Sequence, residues 1–189
     1  MNQFTTTGIT TAGFALALGL LGAELWQWWK GGGGGTPGAP AATGASRDPK
    51  ALIPIGFGIV FGILMVACPS GFLGKLAAFL RWGGNGGGGL TMGFLTGQDA
   101  TVFAQAAAPR LDDKGALVVT ALTVGLWLVR KKVPKLPKGK WKKGVFIGVM
   151  LCISTGTAAI VAQTVVGGAN DIGAQLFEVA RTADVGTLV

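Results

Sequence analysis

Between Arg130 and Lys143 the chain carries eight basic side chains and no acid: Arg130, Lys131, Lys132, Lys135, Lys138, Lys140, Lys142 and Lys143. The other eight Lys and Arg balance the eight Asp and Glu, so the whole net charge of +8 equals the charge of this one segment. Its chemistry is electrostatic capture of phosphate. Anionic lipid head groups are attracted at roughly 1 kcal/mol for each charge near a bilayer. A DNA or RNA backbone is the sharper alternative, with Trp141 placed to stack on a base or rest at an interface. The plainer role of such a cluster is to set membrane topology, and a protein partner is a third reading.

Other reactive groups are few. His is absent, Cys occurs twice, and eight carboxylates serve 189 residues, so the usual general bases, metal ligands and nucleophiles are scarce. The expectation is a non-enzymatic protein with no cofactor and no metal. Glu24 is the one carboxylate inside an apolar run, which makes it a candidate intramembrane polar site. Gln163, with Ser154, Thr155 and Thr157, is a second candidate for a polar path, although such residues also serve as ordinary hydrogen bonds between helices. Cys68 and Cys152 read as small core residues rather than a redox pair. The block Gly83 to Gly89 lacks the spacing of a phosphate-binding loop.

The elements that must carry these groups are apolar. Half of the residues are hydrophobic, only 13% are charged, and the mean hydropathy is +0.55, far from a soluble domain. Residues 1–30 hold a first apolar run, Gly8 to Trp29, closed by the Trp26, Trp28, Trp29, Lys30 cluster of an interfacial belt. Residues 31–50 form a Gly/Pro/Ala tether. In 51–82 the uncharged stretch Ala51 to Gly74 predicts a second span, with Gly58 and Gly62 in the spacing that lets helix backbones touch, and with Pro69 bending or ending it. Residues 83–114 read as a Gly-rich outer loop with a short interfacial or re-entrant helix from Thr96 to Ala108. Residues 115–169 read as a helical hairpin: Gly115 to Val129, only about 22 Å long as a helix, then the basic loop 130–143, held extended by its prolines, then Gly144 to Ala169. Residues 170–189 read as a polar tail.

The fold class expected is therefore all-α and integral to the membrane, with four spans, or three if Gly115 to Val129 stays out. The loops 30–50 and 130–143 then share one side and hold eleven of the sixteen basic residues. The positive-inside bias places the basic loop in the cytoplasm of a multi-pass cell-membrane protein, and both termini outside.

The Gly/Ala-rich spans, the linker GGGGGTPGAPAATGAS and the loop RKKVPKLPKGKWKKG resemble the spread and transfer membrane proteins of actinobacterial conjugative plasmids. That resemblance implies an accessory of DNA transfer that forms homo-oligomers, here through the faces around Gly58 and Gly62, meets other transfer or secretion proteins, and touches DNA with its basic loop. Residues 115–168 alone are similar to pilin subunits of type IV secretion systems, which would make the chain a structural subunit of a pilus. In size and span count it is also similar to phage holins, which form pores.

Overall fold

The computed structural model describes residues 8–30, 49–68, 71–105, 109–132, 138–153 and 155–185. Most of the linker 31–50, Lys135 and Ser154 lie outside them. The described residues form six α-helices and one two-stranded pairing. The order is β1 (Ile9–Thr10), α1 (Thr11–Trp29), a 3-10 turn at Pro49–Leu52, α2 (Ile53–Ala67), α3 (Phe72–Thr96), β2 (Val102–Ala104), α4 (Asp113–Lys132), α5 (Lys138–Leu151) and α6 (Gly156–Val185). The all-helical expectation holds. Among the described residues no single helix is long and apolar enough to cross a membrane; α2 and α3 together are, but they are bent by 107° at their junction.

Local chemistry accounts for several boundaries. Thr10 caps α1 by accepting a hydrogen bond from the Gly13 N–H at 3.0 Å. Pro54 sits in the first turn of α2, where its missing donor costs nothing. That helix ends at Cys68, whose extended backbone is what the following Pro69 demands. Gly97, at φ +67°, closes α3 in the left-handed conformation that glycine adopts without strain.

The second span ends at Ala67, just before the Pro69 expected to bend or end it. Five expectations are corrected. The Gly83 to Gly89 block is not a loop but the middle of the 25-residue α3. The described part of the Thr96 to Ala108 stretch is not helical beyond Thr96; it holds β2, which pairs antiparallel with β1 (Ile9 with Ala104, Thr10 with Val102). The fourth span is broken at Cys152, so α5 and α6 are separate helices, and the supposed polar tail continues α6 to Val185. The basic loop is helical on both flanks: Arg130 to Lys132 end α4 and Lys138 to Lys143 begin α5.

Helix α5 is the centre of the bundle, with Ile147, Val149 and Met150 wholly buried. It packs most extensively on α2, through glycines on both helices. A Cβ on Gly58 would lie 2.5 Å from the Trp141 carbonyl oxygen and 2.9 Å from the Gly144 Cα. Gly62 lies against Val145 and Val149, and Gly148 against Ile59. The small-xxx-small pair Gly58 and Gly62 is thus filled within the chain by its counterpart Gly144 and Gly148, not by another copy. Helix α1 closes over α5 and α3, and α4 pairs with α6 on the other side of α2.

Helix α3 buries Ala77, Arg81, Gly84 and Gly88. Asn85, inside the glycine block, fastens the N-terminus of α1. Its Nδ2 donates to the Gly8 carbonyl at 3.1 Å, and its Oδ1 accepts from the Thr10 N–H at 3.1 Å and from the Thr10 hydroxyl at 3.2 Å.

Candidate functional site

Helix directions follow from the contacts. Residue numbers rise together where α2 meets α5 (Gly58 beside Gly144, Ile59 beside Gly148), so these helices are parallel. On α1, Gly13 faces Met150 while Glu24 meets Lys143, so α1 runs antiparallel to α5. The Leu111 N–H donates to the Ala67 carbonyl at 3.2 Å at the end of α2, and Leu126 lines one cleft with Phe57 near its start, so α4 is antiparallel to α2. One end of the bundle therefore gathers the C-terminus of α1 with Lys30, the start of α2 beside Lys50, the C-terminus of α4 with Arg130, Lys131 and Lys132, and the N-terminus of α5 with Lys138, Lys140, Lys142 and Lys143. Lys30 and Lys50 thus share an end with the described residues of the basic segment. Asp112 and Asp113 are exposed at the opposite end, with Asp113 in the first turn of α4 where the helix dipole favours it.

The side chains at the basic end divide into those that bind outward and those used inward. Lys142 is exposed and Lys140 half-buried. Lys143 is 49% exposed, and its Nζ is paired with the Glu24 carboxylate, itself only 5% exposed. The two candidate sites, expected to be independent, are thus one contact. Trp141 is half-buried, its ring centroid 5.8 Å from that of Phe61, and its Nε1 is enclosed without a hydrogen-bond partner among the described residues. It packs the α2 and α5 interface and does not stand out to stack on a base. Among the side chains described at this end, Trp26 and Trp29 of α1 are exposed aromatic groups, 5.6 Å apart, with Lys30 Nζ 4.9 Å above the Trp26 ring.

The pairing has an asymmetric consequence. Lys143→Gln strands a buried carboxylate, whereas Glu24→Gln frees an ammonium that water already reaches. The expected result is that Lys143→Gln lowers the unfolding midpoint in detergent more than Glu24→Gln, by about 1 kcal/mol after allowing for the exposure of Lys143. Equal losses would show that Glu24 is hydrated.

The other polar candidates separate. Gln163, Thr155 and Thr157 are exposed, so among the described residues they line no polar path inside the bundle. Cys152 is buried and Cys68 half-buried, its thiol donating to the Leu64 carbonyl at 3.3 Å, and the two are not joined in a disulfide. Among the described residues no three Cys, Asp or Glu side chains converge to hold a metal.

Arg81 was not singled out from the sequence. It is 2% exposed and reaches from α3 to the C-terminus of α5, where its Nε and Nη2 donate to the Val149 carbonyl at 3.1 and 3.0 Å and its Nη2 also donates to the Cys152 carbonyl. The end of a helix is where a fixed cation is most useful, because the last carbonyls lack helical partners and carry the negative end of the dipole. The usable signal was the spacing Ala77, Arg81, Gly84, Gly88, a narrow helical face with one long side chain.

Compared with known proteins, the chain matches no family model, no curated protein and no solved structure.

Proposed function

We propose that the chain is a non-enzymatic membrane assembly subunit of a DNA-transfer system, with its basic end engaging the DNA backbone. The observation that carries the membrane part is an inverted distribution of side chains. Helix α1 buries Ala12, Gly13, Ala17 and Glu24 while Leu18, Leu25, Trp26 and Trp29 are exposed. Helix α3 buries small residues and Arg81 while exposing Phe72, Phe79, Trp82, Leu90, Leu95 and Phe94, the last at 91%. Water penalises that arrangement at about 25 cal/mol for each Å² of apolar surface. Lipid does not, and it favours small residues where helices touch. The glycine block points the same way. Six glycines cost an isolated helix in water on the order of 5 kcal/mol relative to alanine, whereas in hydrocarbon the backbone must satisfy itself and a helix is the way to do so.

Support for DNA is the collection of both basic segments at one end. The experiment is binding of the solubilised protein to duplex DNA over a salt series. The comparison variant carries Gln at Lys131, Lys132, Lys135, Lys138, Lys140 and Lys142; Lys143 is kept because it holds Glu24. A parent slope of log K against log salt that is shallower in the variant by up to about 5 supports the reading. Absent or salt-insensitive binding by the parent sinks it. A second reading, anionic head groups as the ligand, is favoured by Trp26 and Trp29 at the same level; it predicts that the same variant loses affinity for phosphatidylglycerol vesicles and not for DNA. The pilus alternative gains no such support, because α4 and α5 pack chiefly on α6 and α2 rather than on each other.

A further inference from the structure

With Gly58 and Gly62 engaged inside the chain, the surface by which copies would assemble must lie elsewhere, and α3 carries one. Phe72, Leu76, Phe79, Gly83, Gly86, Leu90 and Gly93 are all exposed. They follow one another at steps of 4, 3, 4, 3, 4 and 3, the repeat of a helix–helix seam. This seam is distinct from the inward face of Ala77, Arg81, Gly84 and Gly88. Its two halves differ. The first half projects large side chains, with Phe72 79% exposed. In the second half the glycines are holes: a Cβ on Gly83, Gly86 or Gly93 would meet nothing within 4 Å.

The seam is complementary to itself when reversed. In an antiparallel pair centred near Gly83, Phe72 of one copy lies opposite Gly93 of the other, Leu76 opposite Leu90, and Phe79 opposite Gly86, while Gly83 faces itself at the axis. Each large ring meets a glycine hole. In a parallel pair phenylalanine meets phenylalanine and glycine meets glycine, which holds the helices apart at one end and leaves a void at the other. An antiparallel pair in this register is isologous about a two-fold axis at Gly83, and it sets opposed helix dipoles side by side, which a parallel pair does not. We infer that two copies of this chain associate through α3, antiparallel and in this register. The inference rests on the assembly-subunit reading for its choice of a second copy as the occupant.

The test uses the full chain in membranes, in a Cys68→Ser, Cys152→Ala background. Copies with Leu76→Cys and differently tagged copies with Leu90→Cys are co-expressed and oxidised. A mixed disulfide dimer is expected, with neither copy linking to itself. Self-linked dimers would mean a parallel pair, and no linkage would mean no contact; either result overturns the inference. Gly86→Leu, free of clashes within the chain, is expected to cut the mixed dimer at least tenfold without lowering the helical content. Unchanged cross-linking in that variant would also overturn it. Carbonate extraction of the same samples scores membrane residence separately, so failure of the membrane reading is distinguishable from failure of the dimer.

Discussion

Gly62→Leu is expected to take the bundle apart. The added side chain enters the contact between α2 and α5, where it meets the backbone of Val145 and Val149 rather than a side chain that can swing aside. The helices must separate, and α5 carries Ile147, Val149 and Met150, three of the wholly buried side chains among the described residues. Overpacking a flexible site costs about 1–3 kcal/mol; a clash with backbone at the central interface should exceed about 3 kcal/mol, a large share of the stability of a small domain. Gly56→Leu is the matched control. A Cβ there meets nothing within 4 Å, and replacing glycine in a helix gains a few tenths to about 1 kcal/mol. Thermal unfolding in detergent, followed by tryptophan emission because Trp141 sits in the affected interface, should show Gly62→Leu melting far below the parent and Gly56→Leu at or above it. Equal melting points would mean that α2 and α5 do not touch through their backbones.

The second large effect belongs to Arg81. Two opposing terms set the result of Arg81→Met. Removing a buried guanidinium relieves its desolvation, which is why exchanging buried charges for apolar groups is at times neutral. Against that, the Val149 and Cys152 carbonyls lose the donors that reach them from α3. Hydrogen bonds to a charged donor contribute about 1.5–3 kcal/mol each, and the acceptors left behind lie in an apolar interior. Loss should prevail, by about 2 kcal/mol in the unfolding free energy. Faster hydrogen exchange should be concentrated in the last turn of α5. Arg81→Lys should recover only part of this, since a point ammonium does not reproduce the fork that spans two carbonyls. A variant as stable as the parent, with α5 exchange unchanged, would show that the carbonyls find other donors.

Much of the architecture was legible because proline and periodicity are local signals. Pro54 and Pro69 bracket α2, and the Trp-terminated run is α1. The failures share a physical cause. Glycine propensities measured in water point to a loop at 83–89, whereas the helix there is held by tertiary contact at Gly84, Asn85 and Gly88. The spacing of Gly58 and Gly62 marks a close-packing face, but the contact between copies expected there is an internal one, met by the same spacing at Gly144 and Gly148. The described part of α5 begins at Lys138, and the prolines at 134 and 137 lie outside the described residues. Glu24 and Lys143 are 119 residues apart, and no local pattern joins groups at that distance. Arg81 stayed hidden because a lone arginine beside glycines looks like a loop residue until the loop is known to be a helix.

The central helix of the bundle is also its fifth in order of synthesis. When α2 leaves the ribosome, the chain that will fill its glycine face is still about 86 residues away, Gly58 to Gly144, on the order of 10 s at ordinary translation rates. Through that interval α1, α2 and α3 exist without the element they enclose, and the backbone-deep groove at Gly58 and Gly62 is open to any small-faced helix nearby. The order of birth thus makes assembly of this protein a late, single closure around α5 rather than a growth from the N-terminus. A chain cut short before residue 144 would carry its most adhesive surface permanently uncovered.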